Sequence, residues 1–289
     1  MATERLYESL HYLVDEVVFI SNAEQRIFFA SPSVKNVLGY ECEAFLDIDP
    51  VTLIHPDDLA AAGATATELR AAAGNSYRTT VRILHAQGHY IWCDVSGRNL
   101  LDWDVKGIVN TLRDVSDRRA LEEKLVHLSI HDELTGLYNR RGFMQLLRDN
   151  FGRGQKTESG LMMVDLDGFK QVNDRFGHAV GDEVLARCAK MIQQALRPGD
   201  IAGRIGGDEF AILCHRIGDT KSMLAVAERV RRGAGGVYEV AGEAVMIGLS
   251  IGAVLCLDNS DPDVLLRIAD EALYQAKTGG RDQVILAQP

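Results

Sequence analysis

The chain lacks the marks of several protein classes. Its five cysteines, Cys42, Cys93, Cys188, Cys214 and Cys256, show no pairing or metal-binding spacing. That excludes a disulfide framework and a thiolate zinc site, and it fits a reducing compartment. No apolar run approaches the roughly 20 residues of a membrane helix, and the N-terminus has no signal-peptide pattern. The expected location is therefore cytoplasmic. No basic tract offsets the net charge of −10, which argues against duplex nucleic acid or anionic lipid as partner. Internal repeats and low-complexity tracts are also missing. What remains is 289 residues, enough for two ordinary domains with their own cores.

The most informative stretch is Arg204-Ile205-Gly206-Gly207-Asp208-Glu209-Phe210. It sets adjacent carboxylates on a glycine turn between the apolar runs 201–205 and 210–214, the pattern of a hairpin. Carboxylates at such a tip can hold a hard cation, and the missing Cβ atoms let a bulky anion approach the backbone. The tetrapeptide alone also fits an ordinary exposed turn, so its companions matter. Leu161-Met162-Met163-Val164-Asp165-Leu166-Asp167 reads as a buried strand running into acids, with Asp165 and Asp167 on one face. Phe169 to Asp182 then brings a lysine, an amide, glycines and further acids. Finally, Tyr274 to Arg281 is a helix end whose cations Lys277 and Arg281 lie four residues apart. By itself that end needs no more explanation than the helix dipole.

Together, in order and spacing, these segments resemble the GGDEF family of diguanylate cyclases from about His131 to Ala287. The fold implied is a palm-like α/β domain with a mainly antiparallel central sheet. Strands are predicted near 160–166, 201–205, 209–215, 245–256 and 283–287, and helices near 140–150, 168–175, 181–196, 220–235 and 261–277. The resemblance implies joining of two GTP molecules head to tail into cyclic di-GMP, with loss of two pyrophosphates. It places Asp165, Asp208, Glu209 and the Leu166 carbonyl as metal ligands. Asp208 and Glu209 also form the catalytic pair, Asp208 assisting deprotonation of the 3′ hydroxyl. Oxygen-only ligands beside phosphate make magnesium the natural ion, with manganese as a substitute. Lys170, Lys277 and Arg281 match the positions that hold the β- and γ-phosphates, and Gly206 and Gly207 those that face the nucleotide.

Base choice follows from the same resemblance. Asp182 and Asn173 stand at positions that contact guanine, whose adjacent N1–H and amine donors a carboxylate can accept together. Adenine would turn a lone pair toward that carboxylate, so GTP is favoured over ATP. The bland alternative makes Asp182 the start of the helix at 181–196. Two positions depart from the family pattern. Gly168 replaces a bulkier residue, and Asp282 stands where asparagine is commoner, adding a negative charge near the triphosphate.

Arg197-Pro198-Gly199-Asp200 ends the long helix as an ordinary stop would. Five residues separate Asp200 from Gly206, the family spacing of a product-inhibition motif. Arg197 and Asp200 are therefore expected to bind cyclic di-GMP as feedback inhibitor. Arg229 stands where some members supply a further arginine, and it equally fits one charge on a solvated helix face.

Residues 1–116 are expected to form a separate sensor domain. The apolar runs Val17–Ile20 and Ile27–Ala30 flank a polar turn, and a short helix leads to Leu38-Gly39-Tyr40. The segment Ile54-His55-Pro56-Asp57-Asp58 comes next, followed by strand-like runs near 76–84, 89–99 and 107–113. This order resembles a PAS domain (antiparallel sheet with flanking helices). Its ligand is unknown. The cysteine motif of blue-light flavin sensors is absent, and none of His11, His55, His85 or His89 stands out as a haem ligand. An apolar small molecule, a bound flavin or no ligand all remain open.

Residues 117–130 read as a linker helix. Asp117 can cap it, and Leu121, Leu125 and Leu128 follow the spacing of a coiled-coil seam. Two heptads are too few to dimerise alone, so a helix lying on one domain fits as well. The implied chemistry favours a homodimer, since one half-site holds one GTP, with the sensor gating the cyclase domain at 131–289 through the helix pair. His131 to Arg141 matches the motif that opens that domain. No phosphodiesterase domain is expected. The alternative function is a catalytically silent domain acting as a receptor for cyclic di-GMP or GTP.

Overall fold

The computed structural model describes residues 16–22, 24, 26–70, 74–100, 107–151, 158–240, 242–256 and 261–287. The chain divides into two compact units between Lys124 and Leu125. His11 lies outside the described residues.

The N-terminal unit is built on a five-stranded antiparallel sheet. Its strands are β1 (Glu16–Ser21), β2 (Ile27–Ala30), β3 (Ser76–Leu84), β4 (Tyr90–Leu100) and β5 (Gly107–Asp114), in the order β2-β1-β5-β4-β3. Helices α1 (Ser33–Leu38), α2 (Cys42–Leu46) and α3 (Leu59–Arg70) fall between β2 and β3, with single 3-10 turns at Pro50–Leu53 and Pro56–Asp58. Sheet and helices share a core of Val17, Phe19, Val34, Leu38, Phe45 and Val81. The strands match the sequence expectation. Helices α2 and α3 were not foreseen, because the Ala-rich α3 carries almost no apolar periodicity.

Helix α4 (Ser116–Ile130) contains the division between the units and has no buried residue. In the C-terminal unit, α5 (Arg140–Phe151), α6 (Phe169–Phe176), α7 (His178–Ala195), α8 (Thr220–Ala234) and α9 (Pro262–Thr278) surround a seven-stranded sheet. Its strands are β6 (Tyr138–Asn139), β7 (Ser159–Asp167), β8 (Ile201–Gly206), β9 (Glu209–His215), β10 (Gly236–Val240), β11 (Glu243–Cys256) and β12 (Val284–Ala287). The order is β10-β11-β7-β9-β8-β6 with β12 beside β11, antiparallel except for the β6–β8 and β11–β12 pairs.

Strand alternation decides the layering. Along β7, Met162, Val164 and Leu166 join the core under α6, α7 and α8, while Leu161 and Met163 join the one under α5 and α9. Both faces are therefore covered, and Asp165 emerges from the same face as Leu161 and Met163 at the strand's far end. Helix α9 packs so close to β11 that a Cβ on Gly252 would lie 2.1 Å from the Ala269 carbonyl oxygen. Predicted and observed limits agree to within a few residues. The exceptions are β6 and β10, too short or too polar to register, and α7, which starts at His178 rather than 181. That earlier start puts Asp182 inside the helix, so it is not the residue that begins it. All five cysteines are free, and four are buried.

Candidate active site

The tip of the β8–β9 hairpin is Gly207-Asp208, with Gly206 paired to Glu209. Gly207 has a φ of +46°, in the left-handed region, and nothing lies within 4 Å of where a Cβ would project from Gly206 or Gly207. An L side chain would be strained at Gly207 and would fill this open approach. The turn is held from behind, for Arg204 Nε donates to the Gly207 carbonyl at 2.9 Å. The same guanidinium reaches Asp132 at 3.3 Å. Asp132 also accepts from the amide and hydroxyl of Thr135. These partners together hold its carboxyl below the usual range against the opposing effect of burial. Sequence reading missed this bond between the opening motif and the signature, 72 residues apart. An arginine two residues before the glycine pair was the available signal.

Asp165 is the cross-strand neighbour of Glu209 on one side and of Ser250 on the other. Its side chain is buried, and its Oδ2 accepts from Lys277 Nζ at 2.5 Å. Burial pushes the Asp165 pKa up to about 6; Lys277 opposes that rise, while the charges of Asp208 and Asp167 add to it. The carboxylate cluster thus stands short of positive charge even with the lysine in place. Asp167 turns the same way and fastens the loop after α9. It accepts from Ser250 Oγ at 2.8 Å and from the Asp282 amide at 2.9 Å, with Arg281 Nε 3.9 Å away. Leu166 N–H donates to the Asp208 carbonyl at 3.3 Å, tying the hairpin tip to β7.

These groups line one cleft of about 900 Å³. It brings together Asp165, Leu166, Asp208 and Glu209, and also Lys170, Lys277 and Arg281, the three cations expected at the phosphates. Arg231, Arg232 and Asp282 also line it. Asp282 does not stand as an added free charge, for its carboxylate meets Arg231 Nη1 at 2.7 Å. Gly168 has a φ of +79°, which explains a glycine where a bulkier residue was expected.

No group of three or more His, Cys, Asp or Glu side chains forms a ready metal cage among the described residues. The donors present are paired carboxylates and a strand-end carbonyl. Such a set suits a magnesium ion that takes its remaining ligands from water and substrate phosphate. Burial and the neighbouring charges of Asp208 and Asp167 both disfavour the ionised Asp165, and a divalent cation would favour it. The residues fit the ion.

Asn173 and Asp182 are not among the residues lining the cleft. Asn173 lies on α6 against the first turn of α7, where a Cβ on Gly181, the residue before Asp182, would collide with Asn173 Oδ1. That oxygen is buried and has no hydrogen-bond partner. Asp182 is exposed.

The residues expected to bind product lie elsewhere. Asp200 Oδ2 accepts from the Arg197 amide at 3.0 Å and Oδ1 from the His215 amide at 3.1 Å, so its carboxylate also clamps the turn to β9. Arg197 and Asp200 line a cavity of about 270 Å³ with His131 and Tyr138. Arg229 is exposed and donates from Nε to the Ala195 carbonyl at 2.6 Å. In the N-terminal unit, His55 Nδ1 accepts from the Asp57 amide, and His85 stacks on His89.

Comparison with known proteins agrees with this geometry. Residues 129–283 match the family model described as "Diguanylate cyclase, GGDEF domain", and residues 27–109 match the PAS fold. The chain belongs to the GGDEF family of diguanylate cyclases, with a PAS region ahead of the cyclase region. A diguanylate cyclase of Vibrio cholerae is 30% identical over 291 residues, which cover 95% of this chain and 88% of that one. A probable diguanylate cyclase of Escherichia coli, DgcT, is 37% identical over 167 residues, 55% of this chain but only 36% of the relative. Among solved structures, the coiled coil and GGDEF domain of DgcB from Caulobacter crescentus, in complex with c-di-GMP, superposes with a TM-score of 0.56 at 28% identity. That match covers 60% of this chain and 93% of DgcB. Among the described residues, no helix is long and apolar enough to cross a membrane.

Proposed function

We propose that the chain condenses two GTP molecules into cyclic di-GMP with release of two pyrophosphates. One observation carries the reading: Asp165, Asp208 and Glu209 line a single cleft together with Lys170, Lys277 and Arg281. Magnesium, held by Asp165, Asp208, Glu209 and the Leu166 carbonyl, would neutralise the triphosphate and acidify the attacking 3′ hydroxyl.

The chain's own residues supply the rest. Lys170, Lys277 and Arg281 hold the β- and γ-phosphates, and Lys277 already reaches the cleft floor through its bond to Asp165. The bare Gly206-Gly207 tip admits the nucleotide to the backbone, while Asp208 draws the proton from the 3′ oxygen. Asn173 and Asp182 receive guanine's donors, a reading supported by the unpartnered Asn173 Oδ1. An adenine at this corner would turn its N1 lone pair toward the Asp182 carboxylate.

Each cyclase unit binds one GTP, so ring closure needs two copies face to face. The homodimer forms through the PAS region and α4, whose rotation brings the half-sites together or separates them. The domains are taken as 1–116 for the sensor, 117–130 for the linker and 131–289 for the cyclase. Product binds at Arg197 and Asp200, with Arg229 close by, and inhibits.

The test is product analysis by mass after incubation with GTP and magnesium, beside samples with ATP and with Glu209→Gln. Cyclic di-GMP is expected from GTP alone, with a loss of about 100-fold or more in the variant. Tight cyclic di-GMP binding without turnover would replace this reading with the receptor one.

A further inference from the structure

Beside the cleft, the turn that follows α9 holds its backbone against the usual preference. Arg281 and Asp282 succeed one another with φ of +63° and +42°. A residue with a Cβ rarely occupies this left-handed region, because the Cβ crowds the following carbonyl. Among the described residues, Arg216 is the other non-glycine found there. Such strain persists only where the surroundings over-determine it, and it gathers at functional sites.

The surroundings of this turn can be named. Arg281 N–H and Gln283 Nε2 both donate to the Ala276 carbonyl, at 3.0 and 2.8 Å, and Ile251 N–H donates to the Gln283 carbonyl at 2.9 Å. The Asp282 amide between them donates to Asp167 Oδ2 at 2.9 Å. Ser250 sets the angle of that carboxylate, for it is fully buried and donates from Oγ to Asp167 Oδ1 at 2.8 Å. Asp167 and Ser250 lie on the paired strands β7 and β11, so the sheet itself delivers the clamp. Directly across from Asp167, a Cβ on Gly248 would stand 3.0 Å from Asp167 Oδ2 and 3.1 Å from Asp282 Cβ. Glycine there lets the turn close down on the strand.

What the clamp presents is Arg281. Its guanidinium is exposed and lines the cleft, with Nε 3.9 Å from Asp167 Oδ1. At that distance the pair attracts without tying up a hydrogen-bond donor, so the fork stays free for phosphate oxygens. Fixing the backbone under a long side chain also lowers the entropy it loses on binding. Both oxygens of Asp167 already accept from the protein, which argues against counting it among the metal ligands.

We propose that Asp167, oriented by Ser250, is a positioning residue for the triphosphate. It holds the Arg281-Asp282 turn in its left-handed form and thereby aims Arg281 at the β- and γ-phosphates. The role rests on the reading of Arg281 as a phosphate ligand in the proposed cyclase.

The experiment is isothermal titration calorimetry on the full chain in magnesium. One probe is the α,β-methylene analogue of GTP, which cannot expel pyrophosphate; the other is GMP, which lacks the β- and γ-phosphates. Asp167→Ala should weaken the analogue about tenfold and change GMP less than about twofold. Arg281→Ala should do the same. The double variant should bind no more than about twofold more weakly than Arg281→Ala, because the clamp acts through that arginine. Asp167→Asn, which keeps one acceptor oxygen, should recover part of the loss. Should Asp167→Ala fail to fold by circular dichroism, Ser250→Ala replaces it, with a loss of about two- to fivefold for the analogue alone. Unchanged analogue binding, an equal loss for GMP, or additive losses in the double variant would each overturn the role. A loss that disappears at high magnesium would make Asp167 a metal ligand and overturn it too. A native chain that binds the analogue no more tightly than GMP would remove the phosphate reading itself, and this role with it.

Discussion

Asp282 adds a carboxylate to a cleft that already holds Asp165, Asp167, Asp208 and Glu209. Arg231 answers it at 2.7 Å while also pairing with Glu228, and Asp282 in turn raises the basicity of the guanidinium. The pair keeps one more negative charge from facing the triphosphate. Arg231→Met should therefore raise the KM for GTP by about three- to tenfold, and adding Asp282→Asn should recover most of it, a coupling that steady-state kinetics on the double-mutant cycle would measure. At the second site, Arg197 has an exposed side chain, whereas Asp200 spends both carboxylate oxygens on backbone amides. Arg197→Ala should relieve inhibition by cyclic di-GMP without loss of stability. Asp200→Ala should relieve inhibition and also cost about 1–2 kcal/mol, because it frees the buried-side turn. Inhibition constants and urea midpoints for both variants would check the contrast.

At the scale of elements, Arg82 on strand β3 ties down the 3-10 turn at Pro56–Asp58 chiefly through Asp58, with Asp57 3.3 Å from the same guanidinium. Arg82 donates to Asp58 from its backbone amide, from Nε and from Nη2, at 2.9, 3.0 and 2.8 Å. These bonds hold the Asp58 pKa down at about 2, against a smaller opposing effect of burial. A carboxyl whose folded pKa is depressed contributes stability above its unfolded pKa of 3.8 and loses it as pH falls through about 2. Asp58→Asn should lower the stability of the N-terminal unit by about 1–2 kcal/mol at pH 7, discounted for the partly exposed guanidinium, and by much less near pH 2. Urea unfolding at the two pH values, followed by Trp92 fluorescence, reads that difference. Helix α4 shows the same dependence on its ends. At its start, Arg118 meets Asp94 and Arg119 lies 3.9 Å over the Trp92 ring; at its finish, Asn139 donates to the Ser129 carbonyl.

For the whole molecule, the middle of α4 carries the argument for a pair of chains. The predicted seam residues Leu121, Leu125 and Leu128 are all exposed, at 58%, 57% and 40%. A second copy of the helix would cover such a stripe, burying apolar area worth about 25 cal/mol per Å². If the proposed homodimer forms through α4, Leu121→Glu with Leu125→Glu should weaken it at least about tenfold and make specific activity rise with protein concentration, because the proposed reaction needs two half-sites. Sedimentation equilibrium beside a dilution series of the cyclase assay would show both effects. A chain that stays dimeric and fully active with both charges in place would remove α4 from the interface.

The strands and helices around the active site were legible because their signals are local. Period-two apolar runs, a glycine turn and capping residues act over a few positions, and β7, β8, β9 and α9 follow them closely. Residue types at the hairpin tip and strand end likewise announced an oxygen-rich site beside cations. The partners of those residues could not be read in the same way. Lys277 lies 112 residues from Asp165, Arg204 lies 72 from Asp132, and Arg231 lies 51 from Asp282. Which cation meets which carboxylate is settled by strand order and helix packing, and many pairings satisfy the same composition. The left-handed turn at Arg281 and Asp282 is hidden in the same way, because the carboxylate that holds it lies 115 residues from Asp282. The sequence by itself determined the elements and the chemistry at the hairpin tip. Tertiary structure decided the charge pairing and the left-handed turn, since both depend on distances that only packing sets.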